Sequence, residues 1–285
     1  MKTVRIIPRL DIKGPNLVKG IHLEGLRVLG KPEQFAQHYY EHGADELLYV
    51  DVVASLYERN SLHEIISRTA KKIFIPLTVS GGLRNIDDIK SVLRAGADKV
   101  SLNTAVIKNP DLIRKASREF GSSTIVVTIE AIRQDDGTYL AYTDNGREYT
   151  GIDVFKWAKT VEQLGAGEIV ITSVDREGTG SGFDLELTKQ VSEKVSIPVI
   201  AHGGAGSLEH FREVIHTGKA DAVAAASVFH YGAIVNMKQN NSFSEEGNTV
   251  FMESGNSFSK VKTITLPEVK KFLYKENICC RYSEK

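Results

Sequence analysis

The sequence predicts a protein of the α/β class, folded as a (β/α)8 barrel that is built from two similar halves. Eight short, mostly apolar runs alternate with amphipathic stretches of helical length, which is the pattern of βα units around a parallel sheet. The second half of the chain also repeats motifs of the first half in the same order. An open, doubly wound parallel sheet is the alternative, because it uses the same βα units without closing.

The predicted strands are nearly all apolar, as expected for strands that are buried on both faces of a parallel sheet. In chain order they span residues 4–10, 46–52, 74–79, 99–102, 124–130, 168–173, 198–201 and 221–226. A final helix is predicted at Leu266–Lys275. The intervening segment 236–262 is rich in Asn, Ser, Gly and Glu, and this composition predicts a surface insertion.

The repeat supports closure of the sheet. GADELLYVDV, beginning at Gly43, recurs as GAGEIVITSV at Gly165, an offset of 122 residues, and IPLTVSGG recurs at the same offset as IPVIAHGG. ADKVSLNT returns as ADAVAAAS, and IIPRLDI returns as IVVTIEA. We therefore predict one barrel domain over residues 1–285, with half-barrels of about 1–120 and 121–285 related by a pseudo-twofold axis.

Composition excludes several classes of protein. The 36 basic side chains balance the 36 acidic ones, so no global field drives nonspecific binding to nucleic acid or to anionic membranes. Charged residues interrupt the N-terminal stretch MKTVRIIPRLD where a signal peptide needs apolar residues, which predicts a cytoplasmic protein. Cys279 and Cys280 are adjacent, a poor arrangement for a disulfide framework or a metal site.

Two Gly-Gly pairs follow the third and seventh predicted strands, at Ser80-Gly81-Gly82 and His202-Gly203-Gly204. Glycines let backbone N–H groups approach an anion closely, and barrels commonly bind phosphate at such loops. Small residues follow the fourth and eighth strands; these are Asn103, Thr104, Ala226 and Ser227. We expect two phosphate sites on opposite sides of the mouth, which implies a long substrate with a phosphate at each end.

Two carboxyl groups stand between these loops, at Asp11 and Glu130, near the end of the first strand of each half. Separated carboxyl groups at a barrel mouth suit general acid and general base catalysis. Lys19, in LVKG, and the segment 175–179, which begins with Asp175, are expected on loops of the same face that close over the substrate.

The opposite, N-terminal face carries four charges of alternating sign at strand starts: Arg5, Glu46, Lys99 and Glu168. One interpretation is a set of structural salt bridges. The other is a ring of charges that gates a passage into the barrel.

Six motifs together resemble the cyclase subunit family of imidazole glycerol phosphate synthase: IIPRLDIKGPNLVKG, IPLTVSGGLRN, GADKVSLNTA, SVDREGTGSGFDLEL, IPVIAHGGAGSLEHF and AAASVFHYG. The resemblance covers residues 4–231 and resumes at Leu266. It implies a lyase of histidine biosynthesis that receives ammonia from a glutamine amidotransferase subunit docked on the N-terminal face. The implied substrate is a doubly phosphorylated ribulosyl aminoimidazole carboxamide, and the products are imidazole glycerol phosphate and AICAR. The resemblance implies no metal or organic cofactor.

The resemblance also implies roles for individual residues. Asp11 and Glu130 correspond to the acid–base pair. The other matching positions are Gly82, Asn103 and Thr104 for one phosphate, Gly203, Gly204, Ala226 and Ser227 for the other, and Arg5, Glu46, Lys99 and Glu168 for the ammonia gate. Gly81, Lys19 and Asp175 complete the expected substrate contacts.

Four residues near the mouth depart from the family pattern. Glu130 stands where the family usually has Asp, Arg9 where it has Cys, Ser80 where it has Gly and His202 where it has Ser. A buried Arg9 requires a charged partner, either a carboxylate inside the barrel or a substrate phosphate.

Three alternatives stay open, of which the departures favour the first. The first is a paralogue that supplies ammonia for amidating the nucleotide sugar of a surface polysaccharide. The second is the sister phosphoribosyl isomerase, which needs no ammonia. The third is a barrel without turnover that serves as a scaffold or ammonia conduit.

Overall fold

The computed structural model describes residues 3–54, 62–239 and 263–282. Its parallel strands form a closed barrel, because each strand pairs with the next and the last pairs with the first. In order around the barrel, the strands are β1 (Arg5–Lys13), β4 (Leu47–Asp51), β5 (Leu77–Ser80), β6 (Lys99–Leu102), β7 (Ile125–Arg133), β10 (Glu168–Ser173), β11 (Val199–His202) and β12 (Ala222–Ala225). The predicted (β/α)8 barrel is confirmed, and the alternative of an open sheet is wrong.

Two antiparallel hairpins extend the first strand of each half, and the sequence analysis missed both. β1 pairs with β2 (Asn16–Ile21), which pairs with β3 (Glu24–Gly30). In the second half, β7 pairs with β8 (Tyr139–Thr143), which pairs with β9 (Glu148–Asp153). Both β1 and β7 are nine residues long, so each one continues past the barrel rim and holds its hairpin over the mouth.

Helices connect the strands on the outside of the barrel. They are α1 (Pro32–Glu41), α2 (His63–Ala70), α3 (Ile86–Ala95), α4 (Thr104–Lys108), α5 (Asp111–Phe120), α6 (Val154–Leu164), α7 (Leu185–Lys194), α8 (Leu208–His216), α9 (Ser227–Gln239) and α10 (Leu266–Lys275). Local sequence determines several of their starts. Asn85 caps α3 by accepting from the Asp88 N–H, and Thr265 and Glu268 form a reciprocal capping box at the start of α10.

The end of the chain tests two sequence predictions. The predicted helix Leu266–Lys275 is confirmed at both of its ends. The predicted insertion at 236–262 begins too early, because 236–239 continue α9. Residues 240–262 of that prediction lie outside the described residues.

The barrel core has two layers. The larger layer packs between strands and helices and includes Phe35, Tyr39 and Phe211. The smaller layer lies inside the barrel and consists of Ile7, Leu48, Val126, Val170, Ile200, Ala222 and Ala224. This interior layer separates the charged residues at the strand starts from the polar residues at the mouth.

No helix within the described ranges is both long enough and apolar enough to cross a membrane.

Candidate active site

Asp11 lies on β1 at the barrel mouth and is almost fully buried. Its Oδ1 accepts a hydrogen bond from Arg9 Nε at 2.8 Å, and its Oδ2 lies 3.5 Å from Lys19 Nζ. Burial alone would raise the pKa of this carboxyl group, but the charges of Arg9 and Lys19 and the hydrogen bond from Arg9 lower the pKa to about 2. Asp11 is therefore a carboxylate at neutral pH.

Glu130 lies on β7, on the opposite side of the barrel from Asp11, because three strands separate β1 from β7 in either direction. Its side chain is buried, and its Oε2 accepts the backbone N–H of Gly146 at 2.9 Å. Burial raises its pKa to about 7, although that hydrogen bond and the charge of Arg9 both favour ionisation. Glu130 therefore exchanges a proton near neutral pH. The two carboxyl groups have opposite pKa shifts, which is the pattern of an acid–base pair.

Arg9 is buried inside the barrel, and its predicted charged partner is the carboxylate of Asp11. Its Nη1 also lies 3.1 Å from Nδ1 of His202, on β11. The same His202 nitrogen lies 3.3 Å from the hydroxyl oxygen of Thr172, on β10. A chain of polar contacts therefore crosses the barrel from Asp11 to Thr172, directly above the apolar interior layer.

Lys19 lies on strand β2 and not on a loop, which corrects the sequence prediction. It is buried in ion pairs with Glu177 and Asp11. Glu177 also accepts the backbone N–H of Leu23 at 3.0 Å, and its own carbonyl oxygen accepts the N–H of His22. These contacts fasten the β2–β3 hairpin to the segment after β10; we call them the Glu177 latch.

Asp175 is not brought into the mouth. It is exposed, and its Oδ2 accepts the backbone N–H of Arg133 at 2.9 Å. The carboxyl group of this segment that reaches the site is Glu177, two residues later. The sequence analysis named Asp175 from the segment 175–179, because the directions of side chains within a turn cannot be read from the sequence.

The first Gly-Gly loop opens on a cavity of about 550 Å³ at the mouth. Gly81, Gly82, Asn103 and Thr104 line it, and Glu130 reaches the same cavity. Gly81 has φ +100°, and a Cβ there would lie 2.5 Å from the carbonyl oxygen of Asp51, so only glycine fits. The structure adds lining residues that the sequence analysis did not identify, namely Arg84, Lys108, Asn109, Asn145 and Glu148. The cavity is large enough for most of a small phosphorylated substrate.

The second Gly-Gly loop lines a cavity of only about 10 Å³, together with Ala226 and Ser227. This volume holds roughly one water molecule. Glu177, whose contacts form the Glu177 latch, and Gly178 form part of its wall. Gly204 packs so closely that a Cβ would lie 2.1 Å from the Gly182 carbonyl oxygen. The two repeat-related loops therefore differ in the volume of the cavity beside them.

The four charged residues at the N-terminal end form a closed ring. Arg5 lies 2.7 Å from Glu46 and 2.5 Å from Glu168, and Lys99 lies 3.1 Å and 2.9 Å from the same two carboxylates. Thr78 donates a further hydrogen bond to Glu46. Each cation is shared between both anions, so the ring closes that end of the barrel. We call it the charged ring.

In residues 3–54, 62–239 and 263–282, no three His, Cys, Asp or Glu side chains come together as metal ligands. Cys279 and Cys280 are free thiols in the C-terminal tail.

A family model described as "Histidine biosynthesis protein" matches residues 5–235. The chain belongs to this family. A relative from Legionella pneumophila, "Imidazole glycerol phosphate synthase subunit HisF", is 61% identical over 211 residues, which cover 74% of this chain and all of the relative. A relative of the same name from Alkaliphilus metalliredigens (strain QYMF) is 47% identical over 234 residues, covering 82% of this chain and 93% of the relative.

The comparisons confirm the resemblance inferred from the six motifs. Both relatives bear the name of the synthase subunit, so the surface-sugar paralogue, the isomerase and the inactive scaffold are not favoured. Arg9, Glu130 and His202 are thus features of a barrel within this family.

Proposed function

We propose that the chain is the cyclase subunit of an imidazole glycerol phosphate synthase, a lyase that closes an imidazole ring with ammonia. Its substrate is a doubly phosphorylated ribulosyl aminoimidazole carboxamide nucleotide, which it converts to imidazole glycerol phosphate and AICAR. The observation that carries the proposal is the pair of buried carboxyl groups with opposite pKa shifts, Asp11 and Glu130, between two glycine loops. The named relatives support the same reaction.

The two carboxyl groups have different tasks in this proposal. Glu130, with a pKa of about 7, both gives and takes a proton at neutral pH, which suits the proton transfers of ring closure. Asp11 stays ionised beside Arg9 and orients and stabilises positive charge that develops on the attacking nitrogen. The extra methylene of Glu130, compared with the usual Asp, extends its carboxyl group from β7 towards the first cavity.

Each glycine loop holds one phosphate of the substrate. Gly82, Asn103 and Thr104 receive one at the open cavity, where Arg84 and Lys108 supply positive charge. Gly203, Gly204 and Ser227 receive the other. Because the second cavity holds about one water molecule, the Glu177 latch must open before that phosphate enters. Lys19, released from Glu177, is then available to the substrate.

Ammonia reaches the mouth from a glutamine amidotransferase subunit on the N-terminal face. The charged ring gates this entry, since Arg5 and Lys99 must part from Glu46 or Glu168 before ammonia passes. The interior apolar layer beyond the ring suits a small neutral molecule better than ammonium, because an unpaired charge is costly to bury there.

The deciding experiment measures AICAR release from the substrate by the purified chain in excess ammonium salt, which replaces the partner. Release that depends on ammonium and is lost in Asp11→Asn is the expected result. A folded protein that binds the substrate but releases no AICAR contradicts the proposal. Adding the partner and glutamine then tests the gate: Lys99→Met should change glutamine-supported turnover while leaving ammonium-supported turnover within about twofold.

A further inference from the structure

His202 ends β11 and begins the second glycine loop, with only 4% of its surface exposed. The repeat-related residue at the first loop is Ser80, whose hydroxyl group donates to the carbonyl oxygen of Ser101 in the barrel wall. The first loop therefore begins with a hydroxyl group that is hydrogen-bonded to the barrel wall, whereas the second begins with an imidazole ring. His202 is one of the residues that line the second cavity, together with Gly203 and Ser227.

The contact with Arg9 determines which ring nitrogen of His202 carries the proton. A guanidinium group has only N–H donors, so the His202 Nδ1 that lies 3.1 Å from Arg9 Nη1 must accept. A neutral ring that accepts at Nδ1 carries its hydrogen on Nε2. Burial and the charge of Arg9 lower the pKa of His202 well below its usual value, so the ring remains neutral. Arg9 thus makes His202 a permanent donor at Nε2.

We infer that His202 donates its Nε2–H to the phosphate held by the second glycine loop, and that Arg9 acts on that phosphate by fixing the tautomer. The inference rests on the proposed function and adds a substrate-binding residue to it, with Arg9 as the positioning residue. The other donors of this loop, backbone N–H groups and the Ser227 hydroxyl, are neutral as well. Arg9 supports phosphate binding through His202 while its Nε keeps its hydrogen bond to the Asp11 carboxylate.

NMR of protein labelled with ¹⁵N tests the inference without turnover, with inorganic phosphate as the probe. His202 is expected as the Nε2–H tautomer from pH 6 to pH 8. Its Nε2 resonance should move during the phosphate titration together with the amides of Gly204 and Ser227. His216→Gln, which removes an exposed ring on α8, is the control for assignment and should leave these shifts unchanged.

Each other outcome has a distinct meaning. If the amides of Gly204 and Ser227 move but the Nε2 resonance of His202 does not, the inference is wrong and the proposed function stands. If neither amide moves in the parent or in Glu177→Gln, which weakens the latch, the second phosphate site of the proposed function fails and the inference fails with it. A His202 ring that is protonated, or that carries its hydrogen on Nδ1 at pH 7, also overturns the inference.

Substitutions separate binding from catalysis. In His202→Met the donor is lost, and KM for the doubly phosphorylated substrate should rise about ten- to a hundredfold with kcat within about twofold, as expected for one hydrogen bond to an anion. His202→Gln keeps an N–H at a similar reach and should recover most of the loss. In Arg9→Met both tautomers should be populated. Equal KM values in His202→Met and the parent would refute the inference.

Discussion

Replacing Glu130 with Gln should make the protein more stable at alkaline pH while it impairs catalysis. The fold raises the pKa of this carboxyl group from 4.5 to about 7, so the folded state binds its proton more tightly than the unfolded state. Below pH 4.5 the carboxyl group is protonated in both the folded and the unfolded state, and it does not lower the free energy of unfolding. As the pH rises towards 7 the free energy of unfolding of the parent falls, and above pH 7 this loss is complete. At about 1.4 kcal/mol per tenfold change in proton affinity, that cost is about 3 kcal/mol.

The neutral amide of Glu130→Gln avoids this cost at every pH and can still accept the Gly146 N–H. Urea unfolding should therefore show the variant up to about 3 kcal/mol more stable than the parent at pH 8, with little difference at pH 4.5. Glu119→Gln, which removes an exposed carboxyl group on α5, is the matched control and should show no such dependence. AICAR release should fall by about 10²- to 10⁴-fold in Glu130→Gln. A stability difference that is the same at both pH values would refute the reasoning.

Three further changes test other parts of the site. Asp11→Asn should abolish cyclisation with KM largely unchanged. It should also lower the free energy of unfolding by about 3–5 kcal/mol, because it leaves the buried Arg9 without its carboxylate. Loss of substrate binding alone would contradict the assignment of Asp11 as a catalytic residue. Gly81→Ala should weaken phosphate binding in calorimetry, because its Cβ meets backbone at 2.5 Å, whereas Gly14→Ala, with nothing within 4 Å, should not. Glu177→Gln should open the latch, seen as faster hydrogen exchange of the Leu23 amide, and an unchanged rate would show that Glu177 does not hold the hairpin.

Much of the site was predictable because its residues follow apolar runs at fixed spacing. The ends of parallel strands meet at one edge, so Gly81, Asn103, Gly203 and Ser227 had to converge once the strands were identified. The hairpins were not predicted, because a strand that continues beyond the rim has the same apolar start as one that stops there. Asp175 was chosen over Glu177 for a related reason: in a turn, neighbouring side chains diverge in directions that only the folded backbone defines.

The sequence alone determined the barrel, its duplication, the family, and the identity of the carboxyl groups and glycine loops, because these depend on residue type and on distances along the chain. Tertiary structure decided how those groups behave. The pKa shifts of Asp11 and Glu130 are opposite because both groups are buried but Arg9 donates a hydrogen bond only to Asp11. The tautomer of His202 depends on Arg9, which is 193 residues away in sequence. Such properties come from contacts across the barrel, where electrostatic interactions act through space and at low dielectric.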